Sequence, residues 1–181
     1  MPRSSSSAAA VFVFVAVLAA AGGSIVVYGC DNVPSMSMVD ACLKASTSQP
    51  LLELCHRVLL NAPDSGEVTV YAVIAAKSAQ WAYEASAREA ARQDAGEAQA
   101  AYAACAARYA AARSLVMAAQ EQLLSCSYGS PKQELIDGKA DVEACGKEIA
   151  RFTAAPLFAM NAADQLKADL AYYLTGLIIG L

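Results

Sequence analysis

The chain predicts an all-α fold: an up-and-down four-helix bundle, preceded by a hairpin of two short helices and held by two disulfides. Three observations carry this expectation. Core-type residues recur at steps of three and four along most of the 181 residues, and no convincing alternating strand interrupts them. Breakers at Pro50, APDSG, GSPK and AAPL divide the chain into helix-sized lengths joined by short loops. Short loops make neighbouring helices antiparallel. Six cysteines, finally, lie at spacings that suit bridges better than metal or redox sites.

The first element is not expected to belong to the fold. MPRSSSSAAAVFVFVAVLAAAGGS carries Arg3 near its start, an apolar run from Ala8 to Ala21, and small residues at its exit. That order reads as a secretory signal peptide, residues 1–21, with Gly29 as an alternative exit. The run is short of the roughly 20 apolar residues that span a bilayer. Residues 30–181 are then one helical domain in an oxidising compartment, with no membrane partner after cleavage. Removing the segment takes away Arg3 and no acid, so the remainder is slightly more acidic than the formal −4 of the whole chain. No Lys/Arg cluster suits phosphate backbones, so no nucleic-acid partner is expected. The closing LTGLIIGL reads as the last turns of a core helix rather than a lipid-anchor tail.

Within the domain, Met38–Ser46 and Leu51–Leu60 read as the hairpin helices, flanking STSQP. Pro63, Asp64, Ser65 and Gly66 mark a boundary. A long helix follows from Val68 to Gln93, with Val70, Ile74, Trp81 and Ala85 roughly on one face, and a turn at Ala95-Gly96 ends it. From Glu97 to Leu124 the stripe is Tyr102, Cys105, Tyr109, Ala112, Val116, Ala119 and Leu123. Asp137 and Gly138 mark the start of a helix reaching Phe152, whose stripe is Val142, Cys145, Ile149 and Phe152. In the last helix Asn161 is expected to cap the N-terminus, with Asp164 favouring the positive dipole end. Leu166, Leu170, Tyr173 and Leu177 are its expected buried stripe.

The cysteines are Cys30, Cys42, Cys55, Cys105, Cys126 and Cys145. None forms the C-x(2–4)-C knuckle of a zinc site or the C-x-x-C of a thioredoxin-like centre. Cys42 and Cys55 flank a local turn and suit each other. Cys105 and Cys145 lie on the stripes of two helices that antiparallel packing brings together. Cys30 and Cys126 are left open, free or paired with each other. No metal or cofactor is expected, and no catalytic residue either. His56 is the lone histidine, and G-x-S-x-G, P-loop and H-E-x-x-H patterns are missing from the sequence. Asp137 and Asp141 are read as an ordinary surface pair, and Trp81, Tyr83, Tyr102 and Tyr109 as core or groove material. A rigid secreted helical body without a reactive centre suits an inhibitor, a carrier of an apolar ligand, or a ligand.

These residues resemble the plant invertase and pectin methylesterase inhibitor family over essentially the whole domain. The resemblance lies in C-LKASTSQPLLEL-C, in YAACAARY with Cys105 and Tyr109 at C-x(3)-Y spacing, in VEACGKEI, and in the closing APLFAMNAADQLKADLAYYLTGLI. The family's Y-x(5)-Y spacing is not kept, since Tyr172 and Tyr173 are adjacent. The resemblance implies a four-helix bundle with an N-terminal hairpin and the bridges Cys42–Cys55 and Cys105–Cys145. It implies secretion to the apoplast or cell wall, with the vacuole as an alternative. It also implies non-covalent docking over the cleft of pectin methylesterase or, alternatively, acid invertase, through an interface of about 1,200–2,000 Å². Pro131 and Lys132 match a Pro-Lys-Phe segment of invertase inhibitors and are candidate target contacts; Gln133 departs from it.

Overall fold

The computed structural model describes residues 30–92 and 96–180, so the proposed leader, residues 1–21, lies outside the described residues. The elements in chain order are β1 (Ser35–Ser37), α1 (Met38–Ala45), α2 (Gln49–Val58), β2 (Ser65–Glu67), α3 (Val68–Ala90), α4 (Gln99–Leu124), α5 (Pro131–Glu148) and α6 (Pro156–Ile179). The four long helices close a ring in which α3 packs on α4, α4 on α5, α5 on α6, and α6 back on α3. The α1–α2 hairpin lies against α6 and α3.

Local chemistry explains where most of these elements start. Ser37 caps α1 by accepting from the Asp40 amide at 3.0 Å, while its own hydroxyl donates to the Asp40 carboxylate at 2.7 Å. Prolines stand in the first turn of α2, α5 and α6, where the missing N–H costs no intrahelical bond. That rule corrects two expected starts. Helix α5 begins at Pro131 rather than Asp137, which leaves Gly138 buried mid-helix against Ala112 of α4. Helix α6 begins at Pro156, and Asn161 is a buried interior residue rather than a cap.

A two-stranded antiparallel ladder, absent from the expectation, pairs Met36 with Gly66. Three-residue strands are too short for alternation to show. The Tyr71 hydroxyl lies 3.0 Å from the Pro63 carbonyl and 3.3 Å from that of Met36, tying the ladder to α3.

All seven residues of the expected α4 stripe are buried. In α3 the expected face is the outer one. Ala72, Ala75, Ala79, Tyr83 and Ser86 point inward, whereas Val70 is 40% and Trp81 61% exposed. Small residues between Tyr71 and Tyr83 let α3 approach α4 and α6 closely, while Val70 and Trp81 are left outside. The α6 stripe is partly displaced: Leu170 is buried as expected, but Leu166, Tyr173 and Leu177 are half-buried, and Asn161, Asp164, Ala168, Ala171 and Thr175 are buried instead. A search for apolar periodicity passes over a buried row that contains Asn, Asp and Thr.

Three disulfides are present, one more than the expected two: Cys42–Cys55 within the hairpin, Cys105–Cys145 between α4 and α5, and Cys30–Cys126. The last closes the longest loop, 96 residues, and in a chain-entropy account contributes the most, about 4–5 kcal/mol.

Candidate interaction face

Two regions of the bundle carry polar groups in an organised way: its centre, and the outer face of α3 and α4. At the centre, the Asn161 amide donates to the Tyr109 hydroxyl at 3.0 Å and to the Val142 carbonyl at 2.8 Å, and its oxygen accepts from Gln165. One turn on, the Asp164 carboxylate accepts from the Ser86 hydroxyl at 2.5 Å and from Lys167 at 3.2 Å. Tyr83 and Tyr109 stack obliquely, 5.8 Å between centroids. Burial, reinforced by the Asp164 charge, pushes both phenols well above their ordinary range. These groups join all four bundle helices and fix their register. Asn161, Asp164, Ser86 and Tyr109 are buried and hydrogen-bonded to one another's helices, while the buried Tyr83 hydroxyl has no partner, so the centre is structural.

The outer face differs. Val70, Ile74, Lys77 and Trp81 follow one another at helical spacing along the outside of α3. Met117 and Leu124, 42% and 69% exposed, do the same on α4. A cleft of about 770 Å³ runs between the two helices, lined on α3 by Lys77 and Gln80 and on α4 by Arg113, Met117, Glu121 and Leu124. Its floor is a polar ladder. Gln120 donates to the Gln80 oxygen at 3.1 Å, Gln80 donates to Glu84 at 3.3 Å, and Arg113 donates to the same carboxylate oxygen at 2.7 Å. The Arg113 hydrogen bond outweighs partial desolvation and, with the bond from Gln80, holds the Glu84 carboxyl below the usual carboxylate range. The Lys77 ammonium, which lines the cleft, lies 5.7 Å from the centre of the Trp81 ring, a cation–π contact that ties the exposed indole to the α3 side of the cleft. The cleft thus has a rigid, neutralised floor and apolar rims.

The other candidate residues fall elsewhere. Pro131 is buried at the first position of α5, and Lys132 lies over the Tyr172 ring at 5.1 Å. Gln133 is held by Asp137, and Asp141 by Arg108. Tyr172 and Tyr173 line a smaller α5–α6 groove of about 330 Å³, beside the Lys139–Asp169 ion pair. Tyr83, Tyr102 and Tyr109 are core. His56 is half-buried on α2, immediately after the bridged Cys55. Among the described residues no three His, Cys, Asp or Glu side chains gather as a metal site, and no helix is long and apolar enough to cross a membrane.

Sequence reasoning missed the outward stripe of α3 and left the pairing of Cys30 with Cys126 as one of two alternatives. The stripe had a signal, the run of Ala and Ser residues at steps of three and four from Ala72 to Ser86. The bridge had no periodicity to point to it, since Cys30 and Cys126 lie outside any helical stripe.

No protein-family model matches the chain, and no curated protein matches it in sequence. Among solved structures, mutant form A of a pectin methylesterase inhibitor from Arabidopsis is similar, with a TM-score of 0.66. The match covers 78% of this chain and 96% of that one at 14% identity. The two proteins share a fold. At that identity the likeness lies in the arrangement of helices, and it agrees with the bundle-plus-hairpin architecture that the cysteine framework and helical text resemble.

Proposed function

We propose that the chain is a secreted inhibitor of pectin methylesterase, acting by non-covalent docking of its α3–α4 face over the enzyme's substrate cleft. The observation that carries this reading is the outward apolar stripe of α3. Trp81, Val70, Met117 and Leu124 are exposed around a cleft on a body stapled by three bridges. Val39, Leu43, Leu60, Ile136 and Ile179 are exposed elsewhere, but this face joins exposed apolar groups to a cleft and to the exposed Trp81, and a Trp ringed by smaller contacts is the usual form of an energetic anchor. A rigid body loses little conformational entropy on docking, which favours tight binding without covalent chemistry. The fold shared with a pectin methylesterase inhibitor from Arabidopsis supports this choice of partner. Cleavage of residues 1–21 and export of residues 30–181 to the apoplast belong to the same proposal.

Acid invertase is the second target, and one observation favours it. Lys132 is half-buried at the start of α5 with its ammonium over the Tyr172 ring, whereas Pro131 is buried, so the lysine is the more accessible of that pair. Titrating purified mature protein against both enzymes at mildly acidic pH tests the proposal. Stoichiometric loss of pectin methylesterase activity is expected. No loss of either activity at about 1 μM, the range of a weak specific complex, overturns it.

A further inference from the structure

The Cys30–Cys126 bridge differs from the other two in a way that bears on the docking face. Cys42, Cys55, Cys105 and Cys145 are fully buried, whereas Cys126 is exposed and Cys30 half-buried. Cys126 also ends α4. Its amide donates to the Leu123 carbonyl and that of Ser127 to the Gln122 carbonyl, the paired bonds of a Schellman motif. The residue at this position takes a left-handed backbone, and Cys126 has φ +55°. Glycine is usual there. A residue with a Cβ holds such a conformation only where its surroundings impose it. The residues just before it, Leu124 and Ser125, line the α3–α4 cleft. At the other end of the bridge, the Cys30 amide donates to Glu67 at 3.0 Å, directly before α3, and Pro34 accepts from the Val68 amide. The bridge is thus a strap from the start of α3 to the end of α4, across one end of the cleft.

We propose that this strap makes docking sensitive to dithiol reductants, an inference that rests on the α3–α4 docking reading. A reductant thiolate attacks the sulfur of Cys126, the more exposed residue of the pair, the S–S bond breaks, and its electron pair leaves on Cys30, which takes up a proton. The second thiol of the reductant then closes onto its own mixed-disulfide sulfur and releases Cys126 as a thiol. Two electrons have passed from the reductant, which ends as a cyclic disulfide. Without the strap, nothing covalent holds Cys126 left-handed. The last turn of α4 loosens, Leu124 leaves the cleft rim, and the face loses its preformed shape. The two buried bridges and the core stay intact.

The test uses the whole mature protein under limiting dithiothreitol. Free thiols are alkylated and mapped, amide exchange is followed along the chain, and inhibition of pectin methylesterase is measured before and after. Cys30 and Cys126 are expected to alkylate first, with bulk helicity retained, residues 120–128 exchanging earliest, and inhibition weakened about tenfold. Reoxidation restores it, and the C30S/C126S variant reproduces the reduced state. Opening of a buried bridge before or together with this one overturns the proposal. So does unchanged exchange at the end of α4, or unchanged inhibition after selective reduction. An oxidised protein that inhibits neither enzyme instead sinks the docking reading, while the thiol map and exchange pattern still decide whether the strap opens as described.

Discussion

The two long sides of α3 divide their apolar residues unusually, with two tyrosines among alanines inside and Val70 and Trp81 outside. Its inner side carries alanines, Tyr83 and Ser86 against a hydrogen-bonded centre; its outer side carries Val70, Ile74 and Trp81. An ordinary surface helix puts its large apolar groups inside. Here the inner side gains close approach from small residues, and register from Asn161 and Asp164. Alanine buries little apolar area, so bridges and buried hydrogen bonds carry more of the stability than in a leucine-rich bundle. The outer side keeps apolar area that the fold leaves unused. Stability and recognition therefore occupy opposite sides of one helix, and substitutions should separate them.

The strongest break in that comparison lies at the centre. Asn161→Ala removes a side chain bonded to Tyr109, the Val142 carbonyl and Gln165, leaving buried partners without replacements. It is expected to cost about 3 kcal/mol in urea unfolding. A loss below roughly 1 kcal/mol, within the range of ordinary substitutions, shows that the network is not what holds the register. The same region sets the alkaline limit. The Tyr83 and Tyr109 phenols have raised pKa values, so their contribution is complete below the ordinary value of 10.0 and is lost as pH rises beyond it. Tyrosinate absorbance and loss of helicity are expected to rise together in one step. Ionisation of all tyrosines while the helices persist contradicts this.

The opposite result is expected outside. Trp81→Ala changes folding stability by no more than about 0.5 kcal/mol, as exposed positions do, yet weakens docking by about 2 kcal/mol, near thirtyfold. Unfolding curves and inhibition titrations on one preparation measure both. An inhibitor unaffected by this change, and by Leu124→Ala, docks through another face.

The same contrast explains what was legible in the sequence. The α4 stripe was readable because it is mainly apolar and evenly spaced, with Tyr102, Tyr109, Val116 and Leu123 at its large positions. Helix α3 was placed with nearly correct ends, and Val70 and Trp81 do share a face, but nothing in their spacing told that this face is the outer one. The buried row of α6 was obscured by Asn161 and Asp164, which read locally as capping residues and work instead through partners on other helices, 52 and 78 residues away. The start of α5 was misread because Gly138 suggests a boundary, whereas it is a contact point with α4.

Two glycines of α5 sharpen the comparison at the smallest scale. A Cβ on Gly146 would lie 2.5 Å from the Asn161 side-chain oxygen and 3.1 Å from the Gln165 amide. Asn161 is tied on both ends and cannot yield, so Gly146→Ala should cost about 2 kcal/mol despite alanine's better helix propensity. A Cβ on Gly138 meets the Ala112 carbonyl at 3.4 Å and the Leu115 Cβ at 3.6 Å, ordinary packing distances. Helix propensity then decides, and Gly138→Ala should stabilise by about 0.5–1 kcal/mol. The pair differs by eight positions on one helix and by sign in the outcome. If both substitutions stabilise, the α5–α6 contact at Asn161 has room to relax, and the polar centre holds the bundle less tightly than its geometry implies.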